Sequence, residues 1–178
     1  MGCWGITAFE SDAGLDSVDY IRRILPQGGK LDLGEVIEAL RKDDVRLPDV
    51  RNAESHTSPM ALAEIMVKFL DQDIGALDYD EDWAAKDNKF SGITSFIASK
   101  ESLQWIRGYL SDTLRYTKEE ERAGHKWGGW FKQKDWITWQ EHMTALIGRL
   151  DSLMAAPGDQ LELISPRVQE QGPVMGQN

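Results

Sequence analysis

The sequence predicts an all-α fold, a single-domain bundle of about five helices, on three observations. Apolar residues recur at intervals of three and four over several long stretches, the spacing that gives a helix one buried face. Glycine and proline clusters such as Pro-Gln-Gly-Gly at 26–29 separate these stretches. A chain of 178 residues is long enough for one domain, which buries roughly 70% of its unfolded surface. We expect a helical domain over residues 1–156 and a loosely docked or disordered tail over residues 157–178.

The first two helices are predicted on either side of the break at 26–29. Helix 1 begins near residue 12 and carries its apolar stripe on Val18 and Ile21. Asp32 and Glu35 have the spacing of a capping box, which places the start of helix 2 just after Asp32. We expect helix 2 to end near Lys42.

Three more helices are predicted downstream. Ser58-Pro59 has the pattern of an N-cap followed by a first-turn proline. Ser99 is a candidate cap for the fourth helix, which either runs unbroken to Gly124 or restarts at Thr117. The segment 92–98 is short enough to be a helix or a strand. The fifth helix begins near residue 133 and has a narrow apolar seam of Trp136, Trp139, Met143, Leu146, Leu150 and Leu153.

Charge and cysteine content narrow the function classes. Thirty acidic against 20 basic residues give a formal charge of −10, which repels nucleic-acid phosphates and anionic membranes and attracts basic partners. A single cysteine, Cys3, excludes an internal disulfide and fits a reducing compartment. The sequence has no signal-peptide pattern and no apolar stretch of about 18 residues. We therefore expect a cytoplasmic protein that binds neither nucleic acid nor membrane.

Motifs for metal binding and catalysis are not found in the sequence. The acidic segment 71–82 does not place glycine and a closing carboxylate where an EF-hand loop needs them. His56, His125 and His142 lack ligand spacing, and the chain has neither a G-x-S-x-G elbow nor a P-loop. We expect no catalytic residue, no metal and no cofactor.

Two segments are candidates for contact with a protein partner. An aromatic pair, Trp127 and Trp130, lies in a glycine-rich turn, where a core position and an interface position are equally favoured. The acidic segment is either a solvated loop or a contact for a basic surface. Its candidate contact residues are Asp71, Asp73, Asp78, Asp80, Glu81, Asp82 and the adjacent Trp83.

The first 16 residues carry a pattern of glycines, aromatics and acids that leads into helix 1. Its positions are Gly2, Trp4, Gly5, Phe9, Glu10, Asp12 and Asp16. We expect this segment to dock against the bundle through Trp4. Acids in a first helical turn are favoured by the helix dipole, and carboxylates paired among Glu10, Asp12 and Asp16 could instead act as acid and base.

This opening resembles that of a bacterial family of small cytoplasmic proteins described only as a domain of unknown function, with the pattern M-G-x-W-G-x-x-x-F-[DE]-x-D. The family usually has glycine or threonine where this chain has Ile6, Thr7 and Ala8. The resemblance implies no activity, cofactor or catalytic residue. Small acidic proteins of this kind often accompany bacterial toxins, which suggests an immunity role.

Three functional hypotheses follow. The first is a non-catalytic immunity or inhibitor protein that binds a basic partner through the acidic segment. The second is an enzyme or small-ligand binder with a pocket between the Trp4 segment and residues 127–139, using Glu10, Asp12 and His125. The third is a homo-oligomer that uses the seam of the fifth helix as its interface.

Overall fold

The chain is mostly helical, and a small sheet joins the helices. The computed structural model describes residues 4–26, 28–43, 57–73, 77–78, 89–125 and 133–164. Within these ranges the five helices are α1 (Asp12–Arg23), α2 (Leu33–Arg41), α3 (Thr57–Leu70), α4 (Lys100–Arg122) and α5 (Trp136–Met154). The strands are β1 (Lys30–Asp32), β2 (Ser95–Ser99) and β3 (Gln160–Ile164).

The three-stranded sheet corrects the all-α expectation. Its strand order is β1-β2-β3, with β1 parallel to β2 and β3 antiparallel to β2. The ambiguous segment 92–98 resolves into a 3₁₀ turn (Phe90–Gly92) followed by β2. β3 lies inside the segment predicted as a tail and aligns Leu161 with Ala98. Strands of three to five residues are too short for their periodicity to be read reliably, and their pairing joins segments far apart in sequence.

Side-chain caps fix the starts of three helices. Ser11 Oγ accepts from the Gly14 amide at 2.9 Å, Asp32 Oδ1 from the Gly34 amide at 2.8 Å, and Ser99 Oγ from the Ser102 amide at 3.0 Å. The caps at Asp32 and Ser99 were expected from the sequence. Each cap satisfies an amide that the helix itself leaves without a partner.

Two helix boundaries differ in detail from the sequence expectation. α3 begins at Thr57, so Ser58 lies inside the helix, where its buried hydroxyl is 3.2 Å from that of Ser17. α4 is one continuous helix of 23 residues in which Thr117 is buried mid-helix. It ends before Gly124, whose φ of 78° is the left-handed conformation that glycine favours after a helix.

The core surrounds α3, which packs against α1, α4 and α5. The predicted seam of α5 is buried at Trp139, Met143, Leu146 and Leu150. Because α5 packs against α3 and α4 of the same chain, these four side chains are covered within the domain, and a homo-oligomer interface on α5 stays a prediction. In the described part of the chain, no helix combines the length and apolarity needed to cross a membrane.

Candidate functional site

The N-terminal segment is anchored by a 3₁₀ turn, Ala8–Glu10, which packs on α1 and α3. Ala8 is fully buried, and its amide donates to Glu64 Oε2 at 2.8 Å. Gly14 lies directly beneath this turn, so close that a Cβ there would overlap the carbonyl group of Ala8. The turn therefore fits the helix surface only because α1 has no side chain at that point.

Trp4 does not provide the expected anchor. Its amide donates to the Glu10 carbonyl at 2.9 Å, but its side chain is 54% exposed. The anchoring side chains instead come from the turn itself, where Phe9 packs partly buried against the core and Lys68 Nζ lies 5.4 Å from its ring centroid. The segment is docked as predicted, through Ala8 and Phe9 rather than through the indole.

Among the acids of the opening pattern, Glu10 is engaged within the N-terminal turn. Glu10 Oε1 accepts from the Thr7 amide at 3.2 Å and from its hydroxyl at 2.9 Å, which closes the turn. Asp12 and Asp16 are exposed in the first turns of α1. His125 follows the end of α4 and pairs with Glu120 at 3.0 Å. Gly2 lies outside the described residues.

A buried carboxylate beneath the turn was not identified from the sequence. Glu64 of α3 accepts the Ala8 amide, and its Oε1 lies 3.6 Å from Nε2 of the half-buried His142 on α5. Burial raises the pKa of Glu64 above 4.5, although His142, the Ala8 amide and Lys68 each act in the opposite direction. The signal in the sequence is one acid inside the apolar run 60–66.

The contacts of Glu64 favour a positioning role over a reactive one. One carboxylate oxygen is held by the backbone of the N-terminal turn, and the side chain is only 6% exposed. A general base has to reach its substrate within hydrogen-bond distance. We therefore interpret the Glu64–His142 pair as the link that joins the N-terminal turn, α3 and α5.

The described acids of the 71–82 segment are engaged within the chain. Asp71 Oδ1 accepts from Arg149 Nη2 at 2.7 Å, and Asp73 Oδ2 pairs with Lys68 Nζ at 3.2 Å. Asp78 accepts from two backbone amides, those of Phe90 and Ser91, and so holds the 3₁₀ turn before β2. These three carboxylates have internal roles. The remaining candidates Asp80, Glu81, Asp82, Trp83, Trp127 and Trp130 lie outside the described residues.

A cleft of about 760 Å³ lies between α2 and the first turns of α4. Its position follows from the topology, because β1 and β2 are parallel and each leads directly into one of these helices. The carboxyl ends of parallel strands and the helices after them form the usual ligand crevice of open sheets. The volume lies within the range of small-molecule sites.

One backbone amide at the start of each helix that lines the cleft is already occupied. Asp32 and Ser99 cap α2 and α4, and the hydroxyls of Ser99 and Ser102 are 2.7 Å apart. The first turns of the two helices also carry the carboxylates of Glu35 and Glu101. An anion would meet capped amides and two like charges, so the helix N-termini do not make this an anion site.

One wall of the cleft is aromatic and holds a cation of the chain itself. The guanidinium carbon of Arg41 lies 5.4 Å from the ring centroid of Trp105, which is the geometry of a cation–π contact. Arg41 also donates to Glu38 at 2.8 Å. The lining includes four carboxylates (Asp32, Glu35, Glu38 and Glu101) against two cations (Arg41 and Lys42).

Glu35 and Glu101 differ from the other acids of the cleft. Both are exposed, and within the described ranges neither makes an ion pair or a side-chain hydrogen bond. Their charge is therefore available to a partner, in contrast to the charge of Asp71 and Asp73. Glu35 and Glu101 are 66 positions apart in the sequence. Only the parallel pairing of β1 and β2 shows that both lie at the same cleft.

Among the described residues, no three or more His, Cys, Asp or Glu side chains are grouped in a way that could hold a metal ion. Comparison with protein-family models, with curated protein sequences and with solved structures gave no match. The resemblance of the opening residues to a bacterial family therefore stays a prediction from those residues.

Proposed function

We propose that this chain is a non-catalytic interaction module of the bacterial cytoplasm that binds a basic protein, as an immunity or inhibitor protein does. The observation that carries the proposal is the α2–α4 cleft, where Glu35 and Glu101 are exposed and make no ion pair with any residue that the structure describes. A formal charge of −10 supports it, because opposite charge accelerates association with a basic surface.

The contact surface in this proposal differs from the one predicted from the sequence. Asp71 and Asp73 already form ion pairs with Arg149 and Lys68, so their charge is balanced within the chain. The cleft presents carboxylates that make no ion pair with the described residues, and they lie beside an aromatic wall. Aromatic side chains are enriched at protein interfaces, and carboxylates complement the charge of a basic partner. Asp80, Glu81, Asp82 and the tryptophans Trp83, Trp127 and Trp130 remain predicted additional contacts.

Affinity capture from the native cells, followed by binding with the purified candidate, tests the proposal. The probe is wild-type protein compared with the double variant E35Q/E101Q. The matched control is E119Q/E141Q, which removes the same charge from exposed positions of α4 and α5 outside the cleft lining. The expected partner is basic, and its association rate falls about tenfold between low and physiological salt.

The double variants separate a site from a general charge effect. The proposal requires E35Q/E101Q to weaken binding clearly more than E119Q/E141Q does. Equal losses for the two variants would mean that net charge acts without a defined contact. A captured partner that is acidic, or one whose association is insensitive to salt, contradicts the proposal.

A further inference from the structure

We infer that the α2–α4 cleft is a receptor for an arginine side chain of the basic partner, and that Arg41 occupies this receptor in the free protein. The inference rests on the proposed function and names the chemical group that the cleft recognises. It follows from three features of the cleft: an aromatic wall, carboxylates that have no ion-pair partner among the described residues, and a guanidinium already in place.

The contact between Arg41 and Trp105 identifies the cation-binding face. The guanidinium carbon of Arg41 lies 5.4 Å from the Trp105 ring centroid, while Tyr109 approaches the same tryptophan at a centroid distance of 5.7 Å. Arg41 is the last residue of α2, and its side chain is 47% exposed. An exposed contact of this kind is weak, so an external guanidinium can displace Arg41 from the ring.

The carboxylates of the cleft supply the opposing charge. Glu38 holds Arg41 through a 2.8 Å hydrogen bond, whereas Glu35 and Glu101 have no such partner in the described structure. Glu101 and Trp105 are four residues apart on α4 and so lie on one helix face. An incoming guanidinium would therefore find an aromatic face and a carboxylate on the same helix.

The geometry favours arginine over lysine and over an anion. A guanidinium is planar, stacks on an aromatic ring and forms paired hydrogen bonds with a carboxylate, whereas an ammonium acts as a point charge. Phosphate would need free amides at the starts of α2 and α4, and Asp32 and Ser99 already occupy amides there. The cleft is thus matched to one side chain of a basic protein.

The experiment is a titration of ¹⁵N-labelled full-length protein with three short peptides that differ at one position: acetyl-Gly-Arg-Gly-amide, its lysine analogue and its citrulline analogue. Citrulline has nearly the shape of arginine but no charge. The readout is the indole N–H signal of Trp105, assigned with Trp105→Phe. We expect arginine to bind with millimolar affinity and about threefold more tightly than lysine, and citrulline to give no shift.

The variant Arg41→Ala gives the sharpest test, because the two kinds of ligand respond to it with opposite signs. If Arg41 is a displaceable occupant, its removal strengthens arginine-peptide binding about threefold. If Arg41 instead anchors an anion, its removal weakens binding, and inorganic phosphate shifts the Trp105 signal of the wild type. Weaker peptide binding by Arg41→Ala, or equal binding of citrulline, overturns the inference.

Glutamate variants complete the test and keep it separate from the proposed function. E35Q/E101Q is expected to weaken arginine binding about fivefold, and E119Q/E141Q to leave it unchanged. A basic partner whose binding needs Glu35 and Glu101, together with an arginine peptide that does not bind, refutes the receptor and leaves the proposed function standing. If the arginine peptide binds but no basic protein partner is found, the receptor stands and the proposed function is refuted.

Discussion

Replacing Gly14 by alanine should destabilise the protein, although the same change in a helix is normally stabilising. Gly14 lies in α1, where alanine has a helix propensity about 1 kcal/mol better than glycine. The added Cβ would overlap the Ala8 carbonyl group and would lie 2.7 Å from the Ala8 Cα, inside the 3.0 Å limit of real Cβ contacts. The Cβ is fixed to the backbone of α1 and the atoms that it meets are backbone atoms of Ala8, so no side-chain rotation can relieve the overlap. The N-terminal turn therefore has to move away.

The structure sets the size of the effect. Moving the turn breaks the 2.8 Å hydrogen bond from the Ala8 amide and leaves the buried carboxylate of Glu64 without that donor, which costs about 1–3 kcal/mol. Partial exposure of Ala8 and Phe9 adds about 1 kcal/mol. After subtraction of the helix-propensity gain of about 1 kcal/mol, we expect Gly14→Ala to lower the free energy of unfolding by about 2 kcal/mol and the melting temperature by about 4–8 °C.

The matched control is Gly148→Ala in α5, where a Cβ meets nothing within 4 Å. There the propensity gain is unopposed, and we expect the melting temperature to rise by about 2 °C. Both variants are compared with wild type by thermal and urea denaturation followed by circular dichroism. If Gly14→Ala is as stable as Gly148→Ala, the close packing of the N-terminal turn on α1 is refuted.

Two further predictions concern the buried core. Burial raises the pKa of Glu64, so the folded state binds the proton of this carboxyl group more tightly than the unfolded state does. The stabilisation that results is complete below pH 4.5 and is lost as the pH rises through the folded-state pKa. Glu64→Gln keeps an oxygen for the Ala8 amide and cannot ionise, so its stability relative to wild type should increase as the pH rises through this range. Urea titrations from pH 4 to 8 measure this difference. If the free energies of unfolding of the two proteins change in parallel with pH, the prediction is wrong. Trp139→Ala, at a fully buried position, should cost about 3–5 kcal/mol, whereas Ile137→Ala, which is 70% exposed, should stay within about 0.5 kcal/mol of wild type. Equal losses at these two positions would contradict the burial of the α5 seam.

Helices and their caps could be predicted from the sequence because their signals are local. Asp32 and Ser99 cap the helices that they were expected to cap, and four members of the α5 seam are buried as their spacing indicates. The sheet could not be predicted in the same way. β1 has three residues, and its pairing with β2 joins positions about 65 residues apart, a relation that no local pattern records.

The candidate site was harder to predict than the fold because charge in a sequence does not show which charges are neutralised. The 71–82 segment has the densest acidity in the chain, yet Asp71 and Asp73 pair with cations brought near by folding. The sequence pattern places Glu35 in a capping box with Asp32 and gives Glu101 no role. Their importance depends on two parallel strands that bring two helix starts to the same edge of the sheet.

The N-terminal segment and the cleft depend on different contacts. The Ala8–Glu64 bond attaches the first turn to α3, and the 3.6 Å contact with His142 attaches α3 to α5. The cleft is lined mainly by α2 and α4, whose starts are fixed by β1 and β2, and α1 contributes only Tyr20 to its lining. Substitutions at Gly14 or Glu64 should therefore change stability while leaving arginine-peptide affinity intact in the folded protein. A loss of that affinity at temperatures where Gly14→Ala remains folded would show that the two regions are coupled.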